Sequence, residues 1–461
     1  MQHKIERTQI TEGVIWKQLL LFFFPILMGS FFQQMYNTVD TIIVGRTIGT
    51  EALAAVGSSA SLINLLNGFF IGLSSGATVV LSQYYGASDK QGVSKALHTG
   101  IVLSLILGAA AMSIGIVLGP TVMKLIRTPE NCLEDAATYV RIYFSGAVFS
   151  MVYNMGTGIL RAMGDSRKPM LFLIIACIVN IVMDILCVVV LKMGVAGAAI
   201  ATVIAQGFSA MLVVITLCRL PGEKLQWNKL RPDGKILRRI LRIGLPAGLQ
   251  FITFDLSNIL TQSTVNSFGS ATVAAFTAYC KSDAIIWMVC GAFGVAITTF
   301  VGQNYGARKY DRVHQSIWVC MGMSAAVIGG LSALEVIFRD WILGIYTVDA
   351  EVIRLGAYMM LWTVPFCVLF LPVEIFGGAM RGAGYSLVPT AITCFCVCIF
   401  RSLWIFTVVA RWHTLPILLI CYPLSWFLSA AAFFITYLRG NWLQKDTYGQ
   451  DSRPSLSDAA G

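Results

Sequence analysis

The sequence predicts an all-α polytopic membrane protein, with twelve transmembrane helices in two six-helix lobes related by a parallel repeat. Three observations predict it. Hydrophobic residues make up 57% of the 461 positions and charged residues only 12%, against about 25% charged in a soluble domain. Apolar runs of about 20 residues, enough to cross a bilayer, recur along the whole chain. Short motifs of the first half also return in the second at a nearly constant offset.

Taken in order, the spans are expected at 16–44, 54–84, 95–119, 136–160, 168–191, 194–219, 237–267, 272–303, 314–338, 352–380, 386–410 and 413–438. The first is expected to stay in place, because Glu6 and Glu12 interrupt the basic start and no A-x-A cleavage pattern follows the apolar run. Pro25 removes one ladder hydrogen bond from that helix and is the expected hinge, a static kink for packing being the alternative, with Pro246 at the matching place in span 7. The polar stretch after Arg219, with Pro221, Gly222 and Pro232, divides the spans six and six. The expected organisation is a cytoplasmic segment (1–15), a first lobe (16–219), a linker (220–236), a second lobe (237–438) and a polar, disordered tail (439–461).

Charge orients the bundle. With the N-terminus inside, 23 bases fall on inner segments, among them Lys4, Arg7, Lys445 and Arg453. Seven fall outside: Arg46, Lys124, Arg127, Lys192, Arg339, Arg354 and Arg411. Both termini are therefore expected in the cytoplasm, with the chain in the plasma membrane. The net charge of +10 follows from this topology and does not call for nucleic acid.

The repeat is read from four places. Gln83-x-Tyr85-Gly86-Ala87 returns as Gln303-x-Tyr305-Gly306-Ala307, Gly49 with Ala54-Ala55 as Gly269 with Ala274-Ala275, and Arg161, Gly164 and Pro169 as Arg381, Gly384 and Pro389, all 220 residues on. Phe24-Pro25 answers Leu245-Pro246 at 221. Copies that each begin on the same side are related by an axis along the membrane normal, leaving a cleft between the lobes.

Charged groups at membrane depth mark candidate function. Gln33, Asn37 and Asp40 follow at i, i+4 and i+3 and stack on one face of span 1. At 1.5 Å per residue, Asp40 lies about 6–9 Å from the outer end, Asp184 about 10 Å, Thr202 about 12 Å and Asn180 about 16 Å. Two carboxylates in a low dielectric repel, which suits a bound proton or a small hard ion such as Na⁺. The alternative is a hydrogen-bonded cluster that only holds helices together. In the second half, Asp255, Lys281 and Arg401 also fall in the outer half, and a structural ion pair of Asp255 with either base is expected. Glu374 lies about 10 Å from its inner end and is placed facing the cleft toward cationic substrate. Lys281 and Asp283 are two apart and do not face each other. Tyr36, Tyr139, Tyr143, Phe149, Tyr153 and Trp287 are candidate walls for flat cations.

Enzyme signals are absent. There is no Walker A run and no H-E-x-x-H, and the four histidines, at 3, 98, 314 and 413, lie near span ends or in the tail. The twelve cysteines, with Cys394, Cys396 and Cys398 as their one cluster, read as packing residues. No cofactor and no resident metal are expected.

The chain resembles the multidrug and toxic compound extrusion (MATE) family over Trp16 to about Leu438. The residues that carry the resemblance are Gln34, Tyr36, Asn37 and Asp40, Gly164-Asp165, Asn180, Asp184, Gly194-Val195-x-Gly197-Ala198-Ala199-Ile200-Ala201-Thr202, the Gln-x-Tyr-Gly-Ala repeat and Arg381-Gly382-x-Gly384. The resemblance implies antiport of organic cations or other amphiphiles against H⁺ or Na⁺ by a monomer in the bilayer. In one branch of the family the N-terminal lobe holds the coupling cation on residues that match Asp40, Asn180, Asp184 and Thr202. Another branch uses acids in spans 7 and 10, where Asp255 and Glu374 lie, although Glu374 is not at that motif position. Gln34, Tyr36, Asn37, Asp255, Glu374 and Arg401 are the expected cavity or secondary residues. The alternative within the superfamily is a flippase for lipid-linked saccharides.

Overall fold

The computed structural model describes residues 10–126, 128–440 and 442–443. The first nine residues, Arg127, Asn441 and the tail from Gln444 lie outside the described residues. Lys4, Arg7, Arg127, Lys445 and Arg453 of the charge count fall there, as does the expected polar, disordered stretch from Gln444 to Gly461.

Every regular element among the described residues is a helix. Eleven helices among the described residues are long and apolar enough to cross a membrane. They are Ile15–Thr47 (span 1), Glu51–Gly86 (span 2), Lys90–Leu125 (span 3), Arg167–Val190 (span 5), Gly194–Cys218 (span 6) and Gly234–Asn266 (span 7), then Ser270–Gly306 (span 8), Tyr310–Ile337 (span 9), Ala350–Gly382 (span 10), Leu387–Val409 (span 11) and Leu415–Arg439 (span 12). The fourth crossing, expected as one helix over 136–160, is two: Glu130–Ser145 and Ala147–Ala162. They meet at Gly146, where a Cβ would come within 2.9 Å of Val203 of span 6. Glycine admits that approach, and it interrupts the helix. Span 1 has 33 residues, or about 50 Å, well beyond a hydrocarbon core of about 30 Å, so it must tilt or project. Twelve crossings put the first and last described residues, Ile10 and Leu443, at one end of the bundle, called here the near end.

The repeat is written into the backbone. Span 8 and its counterpart Thr50–Gly86 have 37 residues each. Left-handed residues recur 220 positions apart: Gly49 (φ 121°) and Gly269 (99°), Ser88 (58°) and Arg308 (59°), Gly164 (88°) and Gly384 (89°). Glycine takes such angles freely; Ser88 and Arg308 are the exceptions that tie the helix ends after the repeated motif.

The first helix of each lobe begins in the other lobe. Leu19, Phe22, Phe23 and Ile26 of span 1 belong to the core built by spans 8–12, whereas Val44 belongs to a core of the N-terminal lobe. Span 7 mirrors this, with Ile236, Ile240 and Ile243 in the N-terminal core and Val265 in the C-terminal one. The expected boundaries at 16 and 237 follow sequence, but the packing crosses them. The two seams differ in kind. A Cβ at Gly72 would meet Ala247 at 2.6 Å, and one at Gly244 would meet the Leu73 carbonyl at 2.7 Å. This is a Gly-xxx-Gly approach of Gly72/Gly76 to Gly244/Gly248, backbone on backbone. On the other seam Phe23 stacks on Phe293 at 4.0 Å.

At the near end the repeated Gln-x-Tyr-Gly-Ala motifs close on each other. Gln83 Nε2 donates to the Gly382 carbonyl at 2.8 Å, and Gln303 Nε2 to the Ala162 carbonyl at 2.7 Å. The acceptors are themselves repeat partners, and each ends a helix whose last carbonyls lack intrahelical donors. Gly86 lies against the Gln303 backbone and Gly306 against that of Gln83, too close for any side chain. Arg239 donates to Gln83 Oε1, while Gln303 Oε1 has no partner. The linker is docked beside this latch: His98 Nδ1 pairs with the Ser94 carbonyl at 2.7 Å and Nε2 accepts from Gln226 N–H at 3.0 Å, which fixes a neutral ring.

Gly86→Val adds a side chain where even a Cβ overlaps the Gln303 backbone, so the lobes should part at the near end. Spin labels at the exposed positions Ser88 and Arg308 should show a longer mean separation by electron–electron double resonance in Gly86→Val than in the parent; equal distances would contradict the latch.

Candidate cation site

Span 1 presents one buried stripe, Leu19, Phe22, Ile26, Gly29, Asp40 and Val44. Gln33 falls on the same stripe and is nevertheless exposed, as are Gln34, Asn37 and Thr38. The expected stack of Gln33, Asn37 and Asp40 is thus one face but not one environment. Polar side chains exposed at membrane depth mark an opening rather than lipid, and the helices close over the stripe again one turn later.

Asp40, 7% exposed, meets Asp184, which is fully buried. Their carboxyl groups lie within hydrogen-bonding reach of each other. Span 5 is α-helical up to Asp184 and π-helical over Ile185–Val190, a widening that recurs at functional sites. Asn180 is one turn earlier on the same face and fully buried. Thr202 of span 6 donates to the Ala198 carbonyl at 3.1 Å, so its oxygen is left to accept. Tyr36 and Tyr139 both lie beside it. Tyr143 accepts from Asn67 Nδ2 at 3.0 Å and stacks on Tyr139 at 6.4 Å.

Five polar atoms in this cluster have no hydrogen-bond partner among the described residues: Asp40 Oδ1, both Asp184 oxygens, and Asn180 Oδ1 and Nδ2. No base answers the two acids: the three ion pairs among the described residues lie elsewhere. Leaving one such atom bare costs about 1–3 kcal/mol, more for a charge. Two facing carboxylates hold no hydrogen between them unless a proton is added. The arrangement can therefore take a proton, or a small cation among carboxylate, amide and hydroxyl oxygens.

The other sequence candidates are dispersed. Tyr36 belongs to this cluster, whereas Gln34 and Asn37 face the opening. Asp255 is half-buried and makes no ion pair among the described residues, contrary to expectation. Lys281 points to the surface, and Arg401 is held by Ser425 Oγ at 3.1 Å and stacked on Tyr422 at 4.4 Å, so aromatic faces and a hydroxyl replace the expected carboxylate. Glu374 packs against Gly294 of span 8, with Arg381 as its electrostatic neighbour. A separate cavity of about 450 Å³ lies at the near end beside the latch, between Gln18, Tyr85, Lys90, Asp165 and Gln303. Sequence reasoning missed Asn67, because a single amide in an apolar run looks like packing.

A family model described as MatE matches residues 25–186 and again 246–406, the same repeat. The protein named "Probable multidrug resistance protein YoeA" of Bacillus subtilis is 31% identical over 394 residues, covering 83% of this chain and 84% of that protein. A "FAD transporter" of Shewanella oneidensis is 24% identical over 320 residues, 68% of this chain and 70% of the other. A solved structure described as the outward-facing conformation of a multidrug resistance MATE family transporter superposes with a TM-score of 0.89 at 23% identity, covering 96% of this chain and 100% of that one.

If Asn180 serves an ion and not the fold, removing its bare amide should not cost stability. Asn180→Leu is expected to keep or raise the thermal midpoint of the purified protein in detergent, followed by tryptophan fluorescence. A purely structural amide would instead lose about 1–3 kcal/mol.

Proposed function

The chain belongs to the MatE family of multidrug and toxic compound extrusion transporters, and from that premise we propose that it is a cation-coupled efflux antiporter for cationic or amphiphilic organic compounds. It is a multi-pass membrane transporter, not an enzyme. In the proposed arrangement it works as a monomer in the plasma membrane with both termini cytoplasmic, so the latched near end is the inner end and the opening beside Gln34 and Asn37 faces outward.

The observation that carries the reading is the group of five unpartnered buried atoms on Asp40, Asn180 and Asp184. A proton or Na⁺ entering from outside pairs with the oxygens among them, removes the repulsion between the carboxylates and lets spans 1 and 5 approach. Thr202, beside Tyr36 and Tyr139, supplies the neutral oxygen of the site. Pro25 is the proposed hinge, since the missing hydrogen bond lets span 1 bend where it passes from one lobe to the other. Release of the ion inside, after the latch opens, resets the cleft for substrate. A proton contributes about 1.4 kcal/mol per pH unit and about 2.3 kcal/mol per 100 mV. The FAD-transporter relative is the reason to include an anionic flavin nucleotide among the substrates tried, and a lipid-linked saccharide keeps the flippase alternative in view.

Proteoliposomes holding the protein should take up a lipophilic cation under an imposed pH gradient or an imposed Na⁺ gradient, tested separately. Asp40→Asn and Asp184→Asn should each lower the driven rate by at least about tenfold, or about 1.4 kcal/mol in barrier. Full rates in both variants would remove the N-terminal lobe from coupling.

A further inference from the structure

A second group of buried acids lies in the C-terminal lobe, and the function proposed above makes no use of it. Asp283 of span 8 is 3% exposed and Glu335 of span 9 is 7% exposed. Asp283 lies 23 residues before the Gly306 end of its helix, and Glu335 lies 25 residues after the Tyr310 start of its own. At 1.5 Å per residue both are about 35–38 Å from the near end, hence at one level. They are within electrostatic reach of each other, and Cys367 of span 10 is within reach of both. Asp283 accepts from Trp287 Nε1 and from Tyr279 Oη at 3.4 Å, and Cys367 Sγ is 3.9 Å from its other oxygen.

Three buried polar atoms around this pair have no partner among the described residues. One is Glu335 Oε1; one is Ser332 Oγ, a turn below it on the same helical face; the third is the Trp426 indole nitrogen. Ser332 is 4% exposed and Trp426 fully buried, and the Trp426 ring packs 5.7 Å from Trp287, the donor to Asp283.

The charged groups on the neighbouring elements offer no counter-ion. Lys281 is exposed. Arg401 of span 11 is held by Ser425 and Tyr422. Arg339 donates to the Val336 carbonyl at 2.8 Å. Arg381 lies by Glu374. Span 1 adds apolar Phe23.

We propose that Asp283 and Glu335 form a second proton-binding site, in the C-terminal lobe and separate from the Asp40/Asp184 site. Two carboxylates without a base cannot both stay charged at such burial, and a cluster serving the fold alone would not leave Glu335, Ser332 and Trp426 unpaired. The ligand is a proton rather than a metal cation because Trp287, Trp426, Tyr279 and a thiol fill the surroundings, whereas a hard cation asks for about six oxygens. Glu335 is two residues from the Ile337 end of span 9, so the proton has a short route from water at the far end. The step forms an O–H bond on one carboxylate and needs no other reactant.

The test uses the full chain carrying Asp40→Asn and Asp184→Asn, so it stands whether or not that pair couples transport. Infrared difference spectra between acidic and alkaline buffer should show a reversible carboxylic-acid C=O band. Adding either Asp283→Asn or Glu335→Gln should lower its pH-dependent amplitude by about half or more, as expected of coupled groups, while Asp255→Asn leaves it largely in place. Glu335→Gln, near a helix end, keeps the test open if Asp283→Asn fails to fold. A band that ignores pH, an amplitude unchanged by these substitutions, or a band displaced by Na⁺ at constant pH would each overturn the proposal.

Discussion

Burying a carboxylate without a base is among the costlier things a helical bundle can do, and the architecture turns on where it does so. Asp40 and Asp184 are buried with oxygens unpaired, while the arginines that might have answered them are committed elsewhere. Arg401 lies among aromatic rings in the other lobe, and Arg239 is bound to Gln83 at the near end. Every lone pair left bare in the interior raises the free energy of the empty site relative to the loaded one. The surrounding fold must hold that unfavourable state, and Thr202, Tyr36, Tyr139, Tyr143 and Asn67 do so as a connected polar wall.

Stability to hold such a site comes from the seams between the lobes. Gly72, Gly76, Gly244 and Gly248 bring two backbones into contact without side-chain entropy to lose, the favoured way to pack helices where lipid supplies no hydrophobic drive. The latch adds reciprocal hydrogen bonds from Gln83 and Gln303 to helix-terminal carbonyls. Its two halves are not equal, for Gln83 Oε1 is satisfied by Arg239 and Gln303 Oε1 is bare. The side with the bare oxygen borders the near-end cavity, so the closed end has a weaker half.

Much of this was legible in the sequence, and the reasons differ by residue. Hydropathy and the 220-residue offset give twelve crossings and two lobes, since both depend on local composition that packing cannot override. The break at Gly146 was not legible, because the approach of Val203 that requires glycine there is set by span 6. Depth arithmetic brought Asp40, Asn180, Asp184 and Thr202 to one region, as helix rise is nearly invariant. It failed for Asp255, whose expected partners turn away, because depth says nothing of rotation about the helix axis. Glu335 escaped notice beside Arg339 at a span end, where an acid reads as interfacial. The Gly-xxx-Gly spacing at Gly72 and Gly244 was there to be read, but nothing local distinguished it among 42 glycines.

Placing the acid pair inside one lobe, and not in the cleft, has a mechanical consequence. An ion that never touches the substrate can bias it only through an element that belongs to both lobes, since coupling is a difference in free energy between two arrangements of the whole. Spans 1 and 7 are such elements. Span 1 is anchored by Leu19, Phe22, Phe23 and Ile26 in the C-terminal core and by Val44 in the N-terminal one, with Asp40 one turn from that second anchor. Any rotation of the lobes must bend it between these anchors or at the first of them, where Pro25 has already removed a hydrogen bond. Span 7 crosses in the opposite sense, carries Pro246 and is held by the backbone contact of the glycine seam, whereas span 1 is held by side chains: its apolar anchors, the Phe23–Phe293 stack and the Arg312–Gln18 hydrogen bond. The crossing made through side chains is therefore the one that carries Asp40 of the buried acid pair, which is the link between lobes that a coupling device built from a repeat would need.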